Sequence, residues 1–477
     1  MTQARKLILL TASLALAGCN MAPRYARPQL PVPAQAPDGP SYTKGGQAGD
    51  AATLADTAWR DFFTEPRLRE VISVALANNR DLRLALANVE QARAQYRVQR
   101  ADIFPTLDAT GSATYQKSPL GVVPGSGGAG GAAAGRLDIY SVSAGVSAWE
   151  IDLFGRVRNL TQAAQEEFFA VEENRKATQT ALIAEIATAW LTMAADQERL
   201  TVARKTAGAF QQTLELTEAR FRAGIASELD VRQARTSHDR AQSAIASLTT
   251  QVAQDQNALN LLAGTTLSAN LLPHALASTG ATLDRMPANL SSDVLLRRPD
   301  VTAAEHRLIA ANANIGAARA NFFPRISLTA ALGTISLGLS NLFTGASENW
   351  SVAGSANLPI FDFGRNAGNL GVAKAQRDAM IAQYEKTVQT AFREVADALA
   401  RRGTIEDQLA AQRSLAANAE ASYRLSEARF RAGVDGFLNT LDSQRSHFAA
   451  EQELVDTRLI RETNAVELYR ALGGGLK

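Results

Sequence analysis

The same six residues occur twice in this chain, first as Ala219-Arg220-Phe221-Arg222-Ala223-Gly224 and again as Ala428-Arg429-Phe430-Arg431-Ala432-Gly433. Each copy lies between two long, alanine-rich runs with helical periodicity. Glycine accepts the left-handed conformation that ends a helix, and arginine in the last turn favours the negative end of the helix dipole. Each copy is therefore predicted to end one long helix and turn the chain into the next. The result would be two helical hairpins with matching tips.

Other landmarks repeat at the distance that separates the two hexapeptides. Gly155-Arg156 recurs 209 positions later as Gly364-Arg365. Upstream, Phe104-Pro105 matches Phe323-Pro324 at a distance of 219 positions, so the first half carries ten extra residues that coincide with the glycine-rich stretch Pro119 to Gly135. A period this long indicates tandem duplication of a whole supersecondary unit.

The composition and the N-terminal residues indicate which cellular compartment the chain belongs to. Lys and Arg number 49 and Asp and Glu 47, a balance that argues against a nucleic-acid partner. Arg5 and Lys6 precede a short apolar run from Leu7 to Ala15. A basic segment followed by an apolar run too short to span a bilayer is typical of a secretory signal peptide.

The signal ends in Leu16-Ala17-Gly18-Cys19, which contains the only cysteine of the chain. This tetrad resembles the bacterial lipobox, and the resemblance implies cleavage before Cys19 and lipidation of its thiol and new amino terminus. The following residue is Asn20, not the aspartate that marks inner-membrane retention, so the resemblance implies the outer membrane. The alternative is an ordinary signal peptide with an incidental cysteine.

Four segments alternate apolar and polar residues and are predicted to be strands: Thr106 to Tyr115, Tyr140 to Ala148, Ile326 to Leu332 and Trp350 to Leu358. Each has about the ten residues that a tilted strand needs to cross hydrocarbon. Four strands cannot close on themselves, and an open edge in lipid leaves backbone groups unsatisfied. The chain would have to pool strands with copies of itself: a dimer is the minimum, and a trimer would give twelve strands. The alternative is a soluble sheet.

The remaining pattern is helical. A first run from Leu68 to Asp102 is predicted to be one helix, which Pro105 stops. Long helices of roughly 100 Å are predicted from Arg158 to Arg222 and from Asn366 to Arg431. The apolar spacing of the run Glu228 to Ala263 is interrupted at Asp255. Two shorter helices stacked end to end would back each long one, in coiled-coil-like packing.

These features divide the chain into a signal peptide, a proline-rich tether, two repeats, a linker and a tail. The proposed bounds are 1–18 for the signal; 19–57 for the tether; 58–264 for the first repeat, with hairpin 106–150 and helices 158–222 and 228–263; 265–290 for the linker; 291–473 for the second repeat, with hairpin 325–360 and helices 366–431 and 436–472; and 474–477 for the tail.

The whole mature chain resembles the TolC-like outer-membrane efflux factor family, specifically its lipoprotein branch of the OprM/NodT type. Besides the lipobox and the duplication, the resemblance depends on five short segments: Ile151 to Arg156, Ile360 to Arg365, Leu296 to Asp300, Phe322 to Pro324 and Ala471 to Gly473. It implies a membrane α+β fold: a trimeric 12-stranded outer-membrane β-barrel continued by a 12-helix periplasmic α-barrel. It also implies an equatorial band from Ser41 to Glu65, Thr265 to Leu290 and the C-terminal tail. The implied partners are outer-membrane lipid, a periplasmic adaptor and an inner-membrane pump of the resistance-nodulation-division (RND) type.

Functional residues can be transferred from the family only at the tips. The resemblance implies a periplasmic gate at Leu438 and Asp442, with Asp230 and Gln233 as partial counterparts in the first repeat. Three aspartates on a threefold axis would repel one another and favour opening unless cations or hydrogen bonds bridge them. The alternative is that these are ordinary helix-face residues. The implied adaptor-docking residues, for which plain helix capping is the alternative, are Arg220, Arg222, Gly224, Ser227, Arg429, Arg431, Gly433 and Asp435.

Other function classes have less support. The four histidines are scattered, without a His-Glu-x-x-His motif, and the glycines from Gly125 to Gly131 precede a strand and not a phosphate-binding helix. The sequence therefore predicts no enzyme, no metal site and no cofactor beyond the covalent lipid on Cys19. A passive porin, an exit duct for type I protein secretion and a trimeric stalk remain as alternatives to an efflux duct for drugs or other toxic small molecules.

Overall fold

The computed structural model describes residues 20–42, 56–117, 136–278, 280–283 and 291–474. Cys19, the rest of the lipobox and the glycine-rich stretch from Pro119 to Gly135 lie outside these residues. The chain divides into two compact units. Unit 1 comprises Met1–Pro28, Glu90–Ala170 and Glu305–Ala382; unit 2 comprises Gln29–Val89, Val171–Ala304 and Gln383–Lys477.

Eight α-helices and four strands make up the described residues, together with four short 3-10 turns. Their order is α1 (Trp59–Phe62), α2 (Pro66–Asn78), α3 (Arg80–Ala101), β1 (Leu107–Lys117), β2 (Arg136–Glu150), α4 (Arg156–Arg222), α5 (Glu228–Ala263), α6 (Pro299–Ala320), β3 (Arg325–Ser336), β4 (Glu348–Asn357), α7 (Arg365–Arg431) and α8 (Phe437–Ala471). No helix in the described part of the chain combines the length and apolarity needed to cross a membrane.

The sheet of unit 1 joins the hairpins of both repeats. All neighbours are antiparallel in the order β1-β2-β3-β4, with Leu107 opposite Val146, Val146 opposite Ala330 and Ala330 opposite Val352. Gly145 permits close approach of β2 and β3, because a Cβ there would lie 2.3 Å from the carbonyl oxygen of Ala330. The predicted strands are present. Within the described residues, β1 and β4 form the sheet edges without a further strand beside them.

The N-terminal segment in unit 1 lies along α6. Asn312 Nδ2 donates a hydrogen bond to the Pro23 carbonyl at 2.7 Å, and Arg319 Nη1 donates to the Met21 carbonyl at 3.2 Å. Gly316 makes room for the segment, since a Cβ there would lie 2.7 Å from the Ala22 nitrogen. The first residues after Cys19 are therefore docked against the protein and are not a free tether.

Unit 2 buries an apolar core around Trp190, Ile183 and Leu191, and the Trp190 indole N–H donates to the Leu271 carbonyl at 3.1 Å. Parts of two predicted equatorial segments, Ser41 to Glu65 and Thr265 to Leu290, pack together in this unit, and the first also contacts α8. The ring of Phe62 stacks on Tyr469 with centroids 4.0 Å apart, and Phe63 forms an isolated bridge with Thr282. The other parts of the predicted equatorial segments include residues 43–55, 279, 284–290 and 475–477, which lie outside the described residues.

One helical prediction needs correction. The single helix predicted from Leu68 to Asp102 is two helices, because Asn79 between them has an extended ψ of 136°. The buried Asn79 side chain accepts from Leu82 N at 2.9 Å and donates to the Leu262 carbonyl at 2.9 Å, which caps α3 and ties it to α5. The helix predicted from Glu228 to Ala263 is present as α5 and continues through Asp255, where the apolar spacing is interrupted.

Candidate functional site

The first tip, in unit 2, connects α4 to α5 through a glycine turn. Gly224 has a φ of +71°, and its N–H donates to the Phe221 carbonyl at 2.9 Å. Ile225 N then donates to the Arg220 carbonyl at 2.9 Å. These bonds satisfy carbonyls that the end of a helix would otherwise leave without donors.

The start of α5 is held by a capping box. Asp230 N donates to Ser227 Oγ at 3.2 Å, while the Asp230 carboxylate accepts from Ser227 N at 2.9 Å and from Ser227 Oγ at 2.8 Å. This exchange satisfies two backbone donors in the first turn. The Asp230 carboxylate, predicted to be a partial gate residue, is therefore engaged in capping its own helix.

The second tip connects α7 to α8 in a different way. Gly433 repeats the left-handed turn with a φ of +75°. Arg429 forms a bidentate ion pair with Asp435, with Nε–Oδ2 at 2.6 Å and Nη2–Oδ1 at 2.9 Å. The hydrogen bond from Arg429 lowers the pKa of the Asp435 carboxyl below its usual value. The N-cap of α8 is Gly436, which supplies no side chain.

Arg220 joins the two tips. Its Nη2 donates to the Phe430 carbonyl at 3.0 Å, and its guanidinium carbon lies 4.3 Å from the centroid of the Phe430 ring. The Phe430 carbonyl also accepts from Gly433 N at 3.0 Å, so Arg220 is its second donor, and the ring contact adds a cation–π attraction. The matching arginine of the second repeat, Arg429, stays within its own tip.

Apolar packing beneath the turns joins all four helices. The buried cluster contains Phe210, Leu214, Ala234, Phe430, Phe437 and Leu441, among others. The rings of Phe430 and Phe437 lie 5.8 Å apart. This packing sets the direction in which α8 leaves the turn.

The remaining predicted gate residues have exposed or partly exposed positions. Leu438 is 61% exposed, although its neighbours Phe437 and Leu441 are buried, and Asp442 is also exposed. A leucine left in solvent on an otherwise packed helix is available for contact with another surface. Gln233 is partly buried on α5. The structure thus brings the predicted tip and gate residues into one region of unit 2, and Cys19 stays outside the described residues.

The docking arginines differ in their contacts. Arg222 is exposed, and Arg431 is paired with Glu427 at 2.7 Å on the same helix. Ion pairs this exposed contribute little stability, so their side chains stay available to a partner.

Sequence reasoning missed a buried acidic group farther along the helices of unit 2. Asp196 and Asp255 are 4% and 9% exposed, and Arg199 pairs with both Asp196 and Asp456. Burial raises the pKa of Asp255 to about 6, and the nearby Asp196 carboxyl adds to the rise. The one available signal was the interruption of the apolar spacing at Asp255.

Comparisons with known proteins follow this geometry. A family model described as outer membrane efflux protein matches residues 71–265 and 290–474. The toluene efflux pump outer membrane protein TtgC of Pseudomonas putida is 45% identical over 469 residues, which cover 98% of this chain and 95% of the relative. The outer membrane protein OprJ of Pseudomonas aeruginosa is 41% identical over 469 residues, with coverages of 98% and 95%.

A solved structure shows the same similarity. The open state of the MtrE outer membrane channel of Neisseria gonorrhoeae matches with a TM-score of 0.85 and 37% identity, over 96% of this chain and 99% of that chain. The two family-model segments each contain one tip and one hairpin. The family is one of transport channels and not of enzymes. The chain therefore belongs to the outer membrane efflux protein family and has its duplicated, TolC-like channel fold.

Proposed function

We propose that this protein is the exit duct of a tripartite efflux system, which carries drugs or other toxic small molecules from an RND-type pump and a periplasmic adaptor across the outer membrane. The observation that carries the proposal is the pair of adjoining tips, linked by Arg220 and flanked by exposed arginines. Two matched docking elements favour a protein partner over a passive porin. TtgC is named as part of a toluene efflux pump, which supports a small organic substrate.

The functional form is proposed to be a homotrimer. The sheet is four-stranded and leaves β1 and β4 at its edges within the described residues. Open edges are unfavourable in lipid, and three copies would supply a closed barrel of twelve strands. The same symmetry would bring three copies of α7 and α8 together as part of a helical barrel.

The docked N-terminal segment supports lipidation at Cys19. Met21, two residues later, is hydrogen-bonded to Arg319, which lies six positions before the start of β3. Only Asn20 separates Met21 from Cys19 in the sequence. A lipid on Cys19 would then enter the membrane beside the beginning of the sheet, and the segment along α6 would hold it there.

The gate is proposed to lie at the second tip. Leu438 would close the duct by packing against its symmetry copies, and three Asp442 carboxylates would repel one another and so lower the energy needed to open it. Docking of an adaptor at the tips would then separate the α7–α8 pairs. In the first repeat Asp230 caps α5, so its contribution to closure is proposed to be minor.

Mild crosslinking in the native envelope, followed by mass spectrometry of the copurified proteins, tests this function. Recovery of an adaptor together with a proton-driven pump is the expected result. Reversing the tip charges with Arg222→Glu and Arg431→Glu should reduce adaptor recovery, while Arg204→Glu, an exposed change on α4 away from the tip, should not.

Two results would contradict the proposal. Recovery of a secretion ATPase would favour protein export. Repeated recovery of the protein alone, at crosslinker levels that capture known assemblies, would favour a passive porin.

A further inference from the structure

A cavity of about 210 Å³ lies among α4, α5 and α8 in unit 2, next to the apolar cluster of the tips. Phe210 of α4 and Phe448 of α8 form two of its walls. The side facing α5 is lined by Ala241 and Ala244, whose small side chains leave the space open. The cavity is lined largely by apolar atoms and is partly open to solvent, and its volume exceeds the roughly 150 Å³ that binds benzene in an engineered protein core.

Two arginines give this cavity a positive charge. Arg240 of α5 and Arg445 of α8 both line it, and no acidic side chain among the described residues does so. The Arg445 Nη2 donates to Ser237 Oγ at 2.8 Å. Its Nε is shielded from solvent and has no acceptor in the part of the chain that the structure describes.

Such a combination matches a particular class of ligand. Two guanidinium groups line the cavity without an acidic lining residue among those described, and a carboxylate is the partner that matches their geometry. Aromatic walls favour a flat or aliphatic body, and the volume suits about ten non-hydrogen atoms.

We propose that this cavity is a binding site for small amphiphilic anions, such as a substituted aromatic carboxylate. The carboxylate would pair with the guanidinium groups of Arg240 and Arg445, while the apolar body would lie between Phe210 and Phe448. The bound ligand would bridge α5 and α8. Because α8 also carries Leu438 and Asp442, occupancy would hold the gate helix against α5; this consequence rests on the proposed function, whereas binding itself does not.

The test is a ¹⁹F NMR titration of the purified full-length protein in amphipol, with 4-(trifluoromethyl)benzoate as the probe. We expect saturable binding, and at least about tenfold weaker binding of the uncharged 4-(trifluoromethyl)benzamide, since one charge-assisted pair is lost. Arg240→Gln and Arg445→Gln should each weaken benzoate binding by a similar factor. Ala241→Leu, which fills the cavity but keeps both arginines, should abolish it.

Arg204→Gln, on the exposed surface of α4, is the matched control and should leave binding unchanged. Because Arg240 is exposed, Arg240→Gln should not disturb the core. It can therefore test the site even if the core variant Ala241→Leu fails to fold. Absence of benzoate binding, equal binding of the benzamide, or binding that survives both Ala241→Leu and Arg240→Gln would overturn the site. The titration uses the protein alone, so a negative result is independent of whether an adaptor and pump are recovered by crosslinking.

Discussion

The two tips have the same six-residue sequence but are stabilised by different interactions. At the first tip, Ser227 and Asp230 form a capping box that starts α5. At the second tip, the N-cap is Gly436, and Arg429 and Asp435 form an ion pair across the turn. The repeated glycine keeps the same turn at both tips. The tips therefore differ in what stabilises the start of the following helix, α5 or α8.

Under the proposed function, this difference distinguishes a tip that only stabilises its helix from a tip that gates the duct. The Asp230 carboxylate holds its own helix, whereas the Asp442 carboxylate is exposed on α8. The matching leucines, Leu229 and Leu438, are 64% and 61% exposed, so they do not distinguish the tips. A helix whose start depends on apolar packing and not on a side-chain cap can shift as a unit when that packing shifts. The second tip is therefore the better candidate for the moving part.

The largest effect is expected from the gate pair. Leu438→Ala combined with Asp442→Ala should raise single-channel conductance in planar bilayers several-fold, because loss of the apolar plug outweighs loss of the carboxylate repulsion that favours opening. The matched variant at the first tip, Leu229→Ala with Gln233→Ala, should change conductance little. Equal increases from both variants would remove the distinction between the tips, and unchanged conductance in the first would remove Leu438 and Asp442 from the gate.

The apolar start of α8 provides the next test. Phe437 is 6% exposed, and Phe437→Ala should destabilise the tip by about 3–5 kcal/mol through lost burial and a residual cavity. Hydrogen exchange of the first-turn amides of α8 would measure the loss. Glu228→Ala, at the matching position of α5, should stay within about 0.5 kcal/mol because that side chain is exposed. A comparable loss of stability in both variants would show that the starts of α5 and α8 depend equally on the side chain at this position.

A third contrast lies farther from the turns. Asp196 and Asp255 correspond, 209 positions later, to Ile405 and Asn464, so the first repeat alone has a buried carboxyl pair among these four positions. The folded-state pKa of Asp255 is about 6, above its unfolded value near 3.9. The folded state therefore binds the Asp255 proton more tightly than the unfolded state does. The contribution of this proton to the free energy of unfolding is present below about pH 4 and is lost as the pH rises through about 6.

Asp255→Asn should accordingly stabilise the protein at pH 8 by roughly 2 kcal/mol, allowing for solvent screening, and have little effect at pH 4. The apparent Tm of both proteins at the two pH values measures the difference. Asp239→Asn, an exposed change on the same helix, is the control. If Asp255→Asn stabilises the protein equally at both pH values, protonation of Asp255 is not the cause of the added stability.

The smallest expected effect concerns the capping box. Ser227→Ala should destabilise the start of α5 by about 1 kcal/mol and leave conductance unchanged. The exchange rates of the first-turn amides of α5 report the change. A conductance increase in this variant would mean that the first tip also takes part in gating.

Much of this fold follows from periodicity and spacing. The helix predicted from Glu228 to Ala263 has those bounds, and the long helices begin one or two residues before their predicted starts, at Arg156 and Arg365. Such agreement is expected because the helices are long, lack proline and end at glycine turns. The placement of Leu438 and Asp442 at the tip likewise follows from the turn at Gly433.

Other features depend on tertiary contacts that periodicity does not encode. The break at Asn79 has a local signal, an asparagine before Arg80-Asp81, but the apolar spacing continues across it. Arg220 and Arg429 lie in identical hexapeptides, yet one bonds to the other repeat and the other to its own turn, because Ala226 stands where the second repeat has Asp435. The division of the chain into domains and the lipid on Cys19 stay predictions.

The most direct test of the account is disulfide trapping at the gate. Asp442→Cys and the matched Gln233→Cys would each be introduced into the full chain, with the parent protein, whose only cysteine is Cys19, as the baseline. If α8 closes the duct on the threefold axis, oxidation should link pairs of Asp442→Cys subunits on a non-reducing gel and reduce conductance until a reductant is added, while Gln233→Cys stays unlinked. Linkage at position 233 without linkage at 442 would contradict a gate at the second tip.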